Sequence, residues 1–354
     1  MKILALDLGK DKSVSCLYET QTGQHTFEQL PTSPECFGEL LSKSQANRVV
    51  IEVGPSAGWV SDLVRSRGLE LQVANPNHEA WRWRKVKSKT DRLDALKLAK
   101  LSAVDQLPTV YIPSVRTRQW RSLIVYRQTL VARRTAIKNR MRSILEGQGL
   151  KVLKKGKPGW SEKSLLLLRS LAQPIEQVDL DELWRGELWI ELEQYVQLAG
   201  QIKQIETKLD AIGRSDVRVQ RLESIPGVGQ RLAETVVAIL DDPHRFRSGK
   251  QVGSYAGLTP RTFQSGQSNR QGRISGEGNR HLRSMLVEVA WLGLRWNPWM
   301  RAVYDRVHRG SKARKKIAIV AVARRLLVRC WAMLRDESDW RPPQERSVQI
   351  GAAA

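Results

Sequence analysis

Cysteine is scarce in this chain: Cys16, Cys36 and Cys330 are its three, and they form no CxxC pair and no Cys/His cluster. That excludes a disulfide framework and leaves zinc without a ligand set. No run of about 18 apolar residues occurs, so no membrane span is expected. The opening stretch, MKILALDLGKDKS, has too short an apolar run for a signal peptide and is interrupted by Asp7. A reducing cytoplasm is therefore the expected setting. No fixed-period repeat is present. Acidic residues are in deficit, 36 Asp and Glu against 59 Lys and Arg in 354 residues, for a net charge of +23. Solubility alone asks for a charge of only about 2–8 on a small domain. An excess this large implies a polyanionic partner, with nucleic acid the first choice.

What is present begins with strands. Residues 2–8, 13–20 and 25–30 alternate or are β-rich and read as a meander. Ser33 is placed to cap a helix over 33–45. A buried strand follows at 48–54, a helix at 57–67, a strand at 69–76 and a helical pattern from Asn77 to Ala103. The order βββαβαβα specifies an α/β layer rather than a bundle. Residues 113–147 read as an arginine-rich helix, and KKGKPGW (154–160) as a linker. Leu188, Leu192, Tyr195, Ala199, Ile202, Ile205, Leu209 and Ile212 then recur in alternating fours and threes. That seam serves either a coiled coil, between copies or between two helices, or a helix packed on its own domain. Helices are expected near 217–223, 230–241, 249–255, 279–296 and 311–335, with loop text at 259–278 and an unstructured tail after Pro342. The division reads as 1–110, 111–215, 216–342 and a tail, 343–354.

Four acids stand out against the basic background. Asp7 interrupts the first apolar strand, and Glu52 is the only charge in VVIEVG. Either would be costly as an isolated buried charge. Asp91 and Asp94, in SKTDRLDALKLAKL, share one helical face behind Thr90, a good N-cap, among Lys85, Lys87, Lys89, Arg92, Lys97 and Lys100. Basic neighbours could satisfy that pair. With Asp7 and Glu52 added, the set suits hard divalent cations, Mg2+ (or Mn2+), which prefer carboxylate oxygens. Two such ions can clamp both sides of a phosphodiester displacement.

Two further stretches carry chemistry. LESIPGVGQRLAETVVAIL (222–240) stops one helix at Pro226-Gly227 and starts another, with Gly227 and Gly229 permitting a tight turn and Arg221 and Arg231 flanking it. It reads as a helix-hairpin-helix that holds a phosphate, or as an ordinary helical corner. YAGLTPRTFQSGQSNRQGRISGEGNRHLRSMLVEVAW (255–291) places Ser265-Gly266 in a loop among arginines, with Arg261 before it and Arg280 and Arg283 in the next helix. Those two arginines could grip phosphate. Leu282, Met285, Leu286, Val289 and Trp296 form a stripe expected in the core, and core packing is also expected of Trp291 and Trp299. Arg133, Arg134, Lys138 and Arg140, in the basic helix, are candidates for nucleic-acid binding.

LALDLGKDKS, IEVGPSAGW and KTDRLDALKLA resemble the acidic motifs of DEDD-type insertion-sequence transposases, which are similar to the Piv DNA invertases. AGLTPR, the following SG and GNRHLR resemble the C-terminal transposase domain of the same family. The resemblance covers nearly the whole chain. It implies an RNase H-like (RuvC-like) α/β N-terminal domain, a long helical or coiled-coil middle, and a mainly α C-terminal domain. The metal-binding tetrad maps onto Asp7, Glu52, Asp91 and Asp94, and the nucleophilic serine onto Ser265, which Ser268 and Ser275 match less well. It further implies donor and target DNA as partners, a structured non-coding guide RNA (the bridge RNA), a homo-oligomer (dimer or tetramer), and a prokaryotic cytoplasmic protein, nucleoid-associated when active.

The expected function is a DNA transposase or site-specific recombinase that works through a covalent phosphoserine. The alternative is a metal-dependent nuclease or junction resolvase using water. A tyrosine recombinase built on Arg261, His281, Arg283 and Tyr304 is disfavoured, because His281 and Arg283 are spaced H-x-R. A purely binding scaffold leaves Asp7 and Glu52 unexplained.

Overall fold

The computed structural model describes residues 1–75, 90–150, 160–265 and 268–342. The linker at 154–159, the helical pattern at 77–89, Gly266 and the tail 343–354 lie outside the described residues. The chain divides into two compact units, Met1–Arg118 and Gln119–Ala354. The regions 119–215 and 216–342 thus fall in one unit.

The first unit is built on a five-stranded sheet. Strands β1 (Lys2–Asp7), β2 (Lys12–Glu19) and β3 (His25–Pro31) form an antiparallel meander. Helix α1 (Pro34–Ser44) is capped by Ser33, whose hydroxyl accepts from the Cys36 amide. β4 (Arg48–Glu52), α2 (Ala57–Ser66), β5 (Glu70–Ala74) and α3 (Asp91–Ala103) follow, reproducing the expected order. The sheet order is β3-β2-β1-β4-β5, with β1, β4 and β5 parallel. Central strands covered on both faces need apolar side chains on both, so they lose the alternation of a half-exposed strand. β1 shows this directly. Leu4 and Leu6 pack with Phe37, Leu41, Val60 and Val64 of α1 and α2. Ile3 and Ala5 pack with Ala95, Leu98 and Ala99 of α3.

The second unit is helical apart from one ribbon. α4 (Val115–Gly147) begins in the first unit and continues into the second. It pairs with α6 (Leu183–Ser215) in antiparallel fashion: Arg127 reaches Glu206 near one end and Arg140 reaches Glu187 near the other. The predicted seam is used within the chain. Leu188, Leu192 and Tyr195 bury against Ile137, Met141 and Leu145 of α4 and Leu168 of α5 (Glu162–Leu171). Leu209 joins a larger core with α7 (Val217–Glu223), α8 (Gln230–Leu240), α9 (Gly249–Tyr255), α10 (Arg280–Gly293), α11 (Pro298–His308) and α12 (Lys315–Arg335). α8 is buried on every side from Leu232 to Leu240.

Three expectations are corrected. The text at 259–278 is not simply loop: β6 (Pro260–Ser265) and β7 (Ser268–Ile274) form an antiparallel hairpin, with Ser265 opposite Ser268. β6 is exposed at every residue after Pro260, so it carries no apolar alternation for periodicity to reveal. α11 was not anticipated; Asn297-Pro298 starts it, and the Asn297 side chain caps it by accepting from the Met300 amide. Trp296, expected in the core, is 72% exposed. Trp296 lies past the end of α10, where the helical stripe no longer holds, and Trp291, also expected in the core, is exposed beside Tyr304.

Candidate catalytic site

Chain topology carries the four acids to one end of the sheet. Asp7 ends β1 and Glu52 ends β4, and these are parallel neighbours whose register pairs Leu6 with Ile51 just before them. α3 runs the opposite way across them. Its C-terminal Ser102 is held at the start of β4, where Arg48 donates to the Ser102 carbonyl at 3.1 Å, while the Ser102 hydroxyl donates to Gln72 at 2.7 Å. Its first turn, with Asp91 and Asp94, is thereby directed to the end that carries Asp7 and Glu52. Thr90 caps that turn as predicted, accepting from the Leu93 amide at 3.3 Å. Asp94 is buried, at 8% exposed, and Asp91 faces outward. All four side chains end in hard carboxylate oxygens, the chemistry a divalent cation selects. Among the described residues, no three Asp, Glu, His or Cys side chains stand together closely enough to cage a metal ion.

Ser265 sits in the second unit, at the last paired position of β6, and is exposed. The flanking motifs build the ribbon's base. Gly257 has φ +67, and a Cβ there would collide with the Glu277 carbonyl oxygen, so AGLTPR and SGEGNR can approach only through a glycine. Arg283 staples the same two segments, donating to the carbonyls of Ala256 at 3.1 Å and Glu277 at 2.9 Å. Arg261 donates to the Ser275 carbonyl at 3.2 Å. Asn279 caps α10, and Arg280 follows in its first turn, exposed.

α7 and α8 are joined by residues 224–229. Gly227 adopts φ +92 and rests against the backbone of Gly293, while Gly229 is the N-cap of α8. Arg231 turns inward: it donates to both carboxylate oxygens of Glu234 at 3.0 Å and pairs with Asp210. Glu234 is 1% exposed, and burial pushes its carboxyl above the usual range against the pull of Arg231. The buried Asn297 ties the turn to α11 by donating to the Pro226 carbonyl at 3.1 Å. Sequence reading passed over that residue, although Asn-Pro before a helical run is its signal.

On α4 the candidates separate. Arg133 is exposed and Arg134 half-buried, while Arg140 pairs with Glu187 at 2.7 Å. Lys138 lies 5.1 Å above the Trp160 ring and 5.5 Å above that of Tyr195. Burial, then Arg134 and Arg142, lower its pKa. Two members of the tyrosine-recombinase set are also occupied. Tyr304 is 7% exposed and stacks on His308 with ring centres 5.0 Å apart. His281 packs beside Gln128, and burial followed by the Arg127 charge lowers its pKa to about 4. A hidden phenol and a neutral imidazole make a poor nucleophile and acid for that chemistry.

Residues 4–148 match a DEDD-type transposase family named for IS110, and residues 219–305 match the family described as Transposase IS116/IS110/IS902. The chain is 30% identical over 260 residues to a probable family 20 transposase of Pseudomonas aeruginosa, covering 72% of this chain and 74% of the relative. The chain belongs to the IS110/IS116 transposase family. The transposase for insertion sequence element IS1111A of Coxiella burnetii is 27% identical over 96% of this chain and 92% of its own length. The pilin gene-inverting protein of Moraxella lacunata is 34% identical over 33% of this chain and 37% of its own. As an insertion-sequence transposase, the protein acts on DNA and is a DNA-cleaving and rejoining enzyme. The DEDD domain brings with it the RNase H-like α/β fold and a general dependence on divalent metal. No helix among the described residues is long and apolar enough to cross a membrane.

Proposed function

We propose that this transposase cleaves and rejoins DNA through a phosphoserine on Ser265, with Asp7, Glu52, Asp91 and Asp94 as the metal-binding set. The observation that carries the serine reading is its position: an exposed hydroxyl at the outer end of a two-stranded ribbon, beside motifs that hold the ribbon's base. A two-stranded ribbon is marginal by itself, which suits an element that docks on a substrate. In the reaction, the Ser265 Oγ attacks the scissile phosphorus and loses its proton. An Oγ–P bond forms as the P–O3′ bond breaks, and the departing oxygen takes up a proton to become a 3′-hydroxyl. One phosphodiester replaces another, so a 3′-hydroxyl can reverse the step without an external energy source. A divalent cation held by the tetrad would neutralise charge developing on that phosphate, and Mg2+ or Mn2+ suits the donors.

Donor and target DNA are the proposed substrates, and a structured guide RNA the proposed additional partner. The net charge of +23 and the exposed cations of α4 support a second polyanion. Arg280 and the 224–229 turn, through Gly227 and Gly229, are proposed phosphate contacts, while Arg231, Arg261 and Arg283 serve by positioning these segments. The active form is proposed to be a homo-oligomer in which the acids of one subunit work with the serine of another.

The test uses end-labelled DNA and a denaturing gel, with peptide mapping of any adduct. Ser265→Ala should bind DNA and trap no adduct, and Asp7→Asn should do the same. Mixing the two inactive variants should restore cleavage when acids and serine come from different subunits. Cleavage by Ser265→Ala without an adduct would convert the reading to a water-using nuclease. Discrete RNA protected from nuclease in the purified protein would support the guide; its absence from active protein would remove it.

A further inference from the structure

A groove of about 1340 Å3 opens at the base of the β6–β7 ribbon, between it and α9, α11 and α12. Its floor is apolar, formed by Leu258, Ile274, Trp299, Ile317, Val320 and Val328. Its rim is cationic: Lys250, Arg273, Lys316, Arg324, Arg325 and Arg329 all line it, and among the described lining residues there is no Asp or Glu. Among the described residues no ion pair engages these six. The Nε of Arg329 is buried without a hydrogen-bond partner, while its Nη2 donates to the Arg341 carbonyl at 2.8 Å and its guanidinium lies 5.5 Å from the centre of the Trp340 ring. Lys316, Val320, Arg324 and Val328 recur every fourth residue, so one face of α12 alternates charge and hydrocarbon along the groove.

This combination selects its occupant. Apolar walls exclude a purely electrostatic ligand, and six cations without an acid exclude an uncharged one. Duplex DNA shows phosphates outward but keeps its base faces stacked inside. An unpaired strand offers both: phosphates for the rim and base faces for the floor, where the half-buried Trp299, already edge-to-face with Trp340 at 5.5 Å, adds aromatic surface. We propose that this groove binds single-stranded DNA, holding unpaired nucleotides of the strand that continues along the ribbon to Ser265. β6 spans about 17 Å from Pro260 to Ser265 at the usual rise per residue, so the groove lies several nucleotides from the serine. The proposal rests on the chain acting on DNA, and it does not depend on the phosphoserine.

The experiment measures equilibrium binding of full-length Ser265→Ala protein to a fluorescent oligo-dT and to a duplex of equal length, so no cleavage is needed. Ile317 is 62% exposed, which makes Ile317→Asp tolerable to the fold. Ile317→Asp, and separately Lys316→Ala with Arg325→Ala, should weaken oligo-dT binding about tenfold, the scale of one lost stacked base, while shifting duplex binding about twofold or less. An oligonucleotide with abasic sites should bind the parent protein more weakly than oligo-dT, and Ile317→Asp should erase that difference. Equal losses on single strand and duplex would reduce the groove to part of a general basic surface and overturn the proposal. Unchanged oligo-dT binding would overturn it outright. Tighter binding after deletion of residues 343–354 would give the groove to the chain's own C-terminal segment, and loss of self-association in Ile317→Asp would give it to a second copy. An adduct that maps away from Ser265 would refute the serine mechanism and leave this binding result intact.

Discussion

His281 gives a prediction whose size follows from its surroundings. It lies in the GNRHLR motif, beside Gln128, with Arg127, Arg231 and Glu288 lining the same cavity. Burial, and then the Arg127 charge, lower its pKa from 6.5 to about 4. A base depressed in the fold stays neutral there, while the unfolded chain takes up the proton. The resulting stability is therefore full above pH 6.5 and is lost as the pH falls through 6.5 toward 4. Between about pH 7.5 and about pH 5 the loss should reach about 2 kcal/mol, from the ratio of proton binding in the two states. The assay is urea unfolding across that range for the natural chain and for His281→Gln, which keeps a polar group beside Gln128 and cannot titrate. The difference between their stabilities should change by that amount. A difference flat across the range would refute the burial argument, as would an imidazole that titrates near 6.5 by NMR.

Other outcomes follow from the same structure. Asp7→Asn, Glu52→Gln, Asp91→Asn and Asp94→Asn should each lower DNA cleavage on the order of a hundredfold or more with DNA binding retained, and EDTA should do likewise; full activity in EDTA would remove the metal set. Arg133→Gln with Arg134→Gln should flatten the salt dependence of nucleic-acid binding by a slope of about 1–2, whereas Arg140→Gln, already paired with Glu187, should do less. Gly257→Ala should destabilise the base of the ribbon by about 2 kcal/mol or more, since it imposes a left-handed alanine against the Glu277 carbonyl; an unchanged melting temperature would contradict this. Tyr304→Phe should leave adduct formation intact, because the phenol is buried.

The first unit was largely legible in the sequence because its signals are local. Ser33 and Thr90 cap the helices they were expected to cap, and the strand order follows from short apolar runs separated by turns. Periodicity likewise named the α6 seam, but it could not name the partner. Only the tertiary structure chose Ile137, Met141 and Leu168 of the same chain, because a hydrophobic stripe is indifferent to which apolar surface covers it. The four acids proposed as a metal set were individually visible as charges out of place. Their placement toward one sheet end required the parallel pairing of β1 with β4 and the reversed run of α3, which are contacts between distant segments. The ribbon bearing Ser265 was hidden, since a strand with both faces in solvent has no hydrophobic alternation to display. Arg231 and Arg283 looked like phosphate ligands by composition, and the fold instead turned them onto Glu234, Asp210 and the carbonyls of Ala256 and Glu277. A cation's partner is set by where the chain's own acceptors end up in space. Sequence spacing records that only within a turn or two of helix.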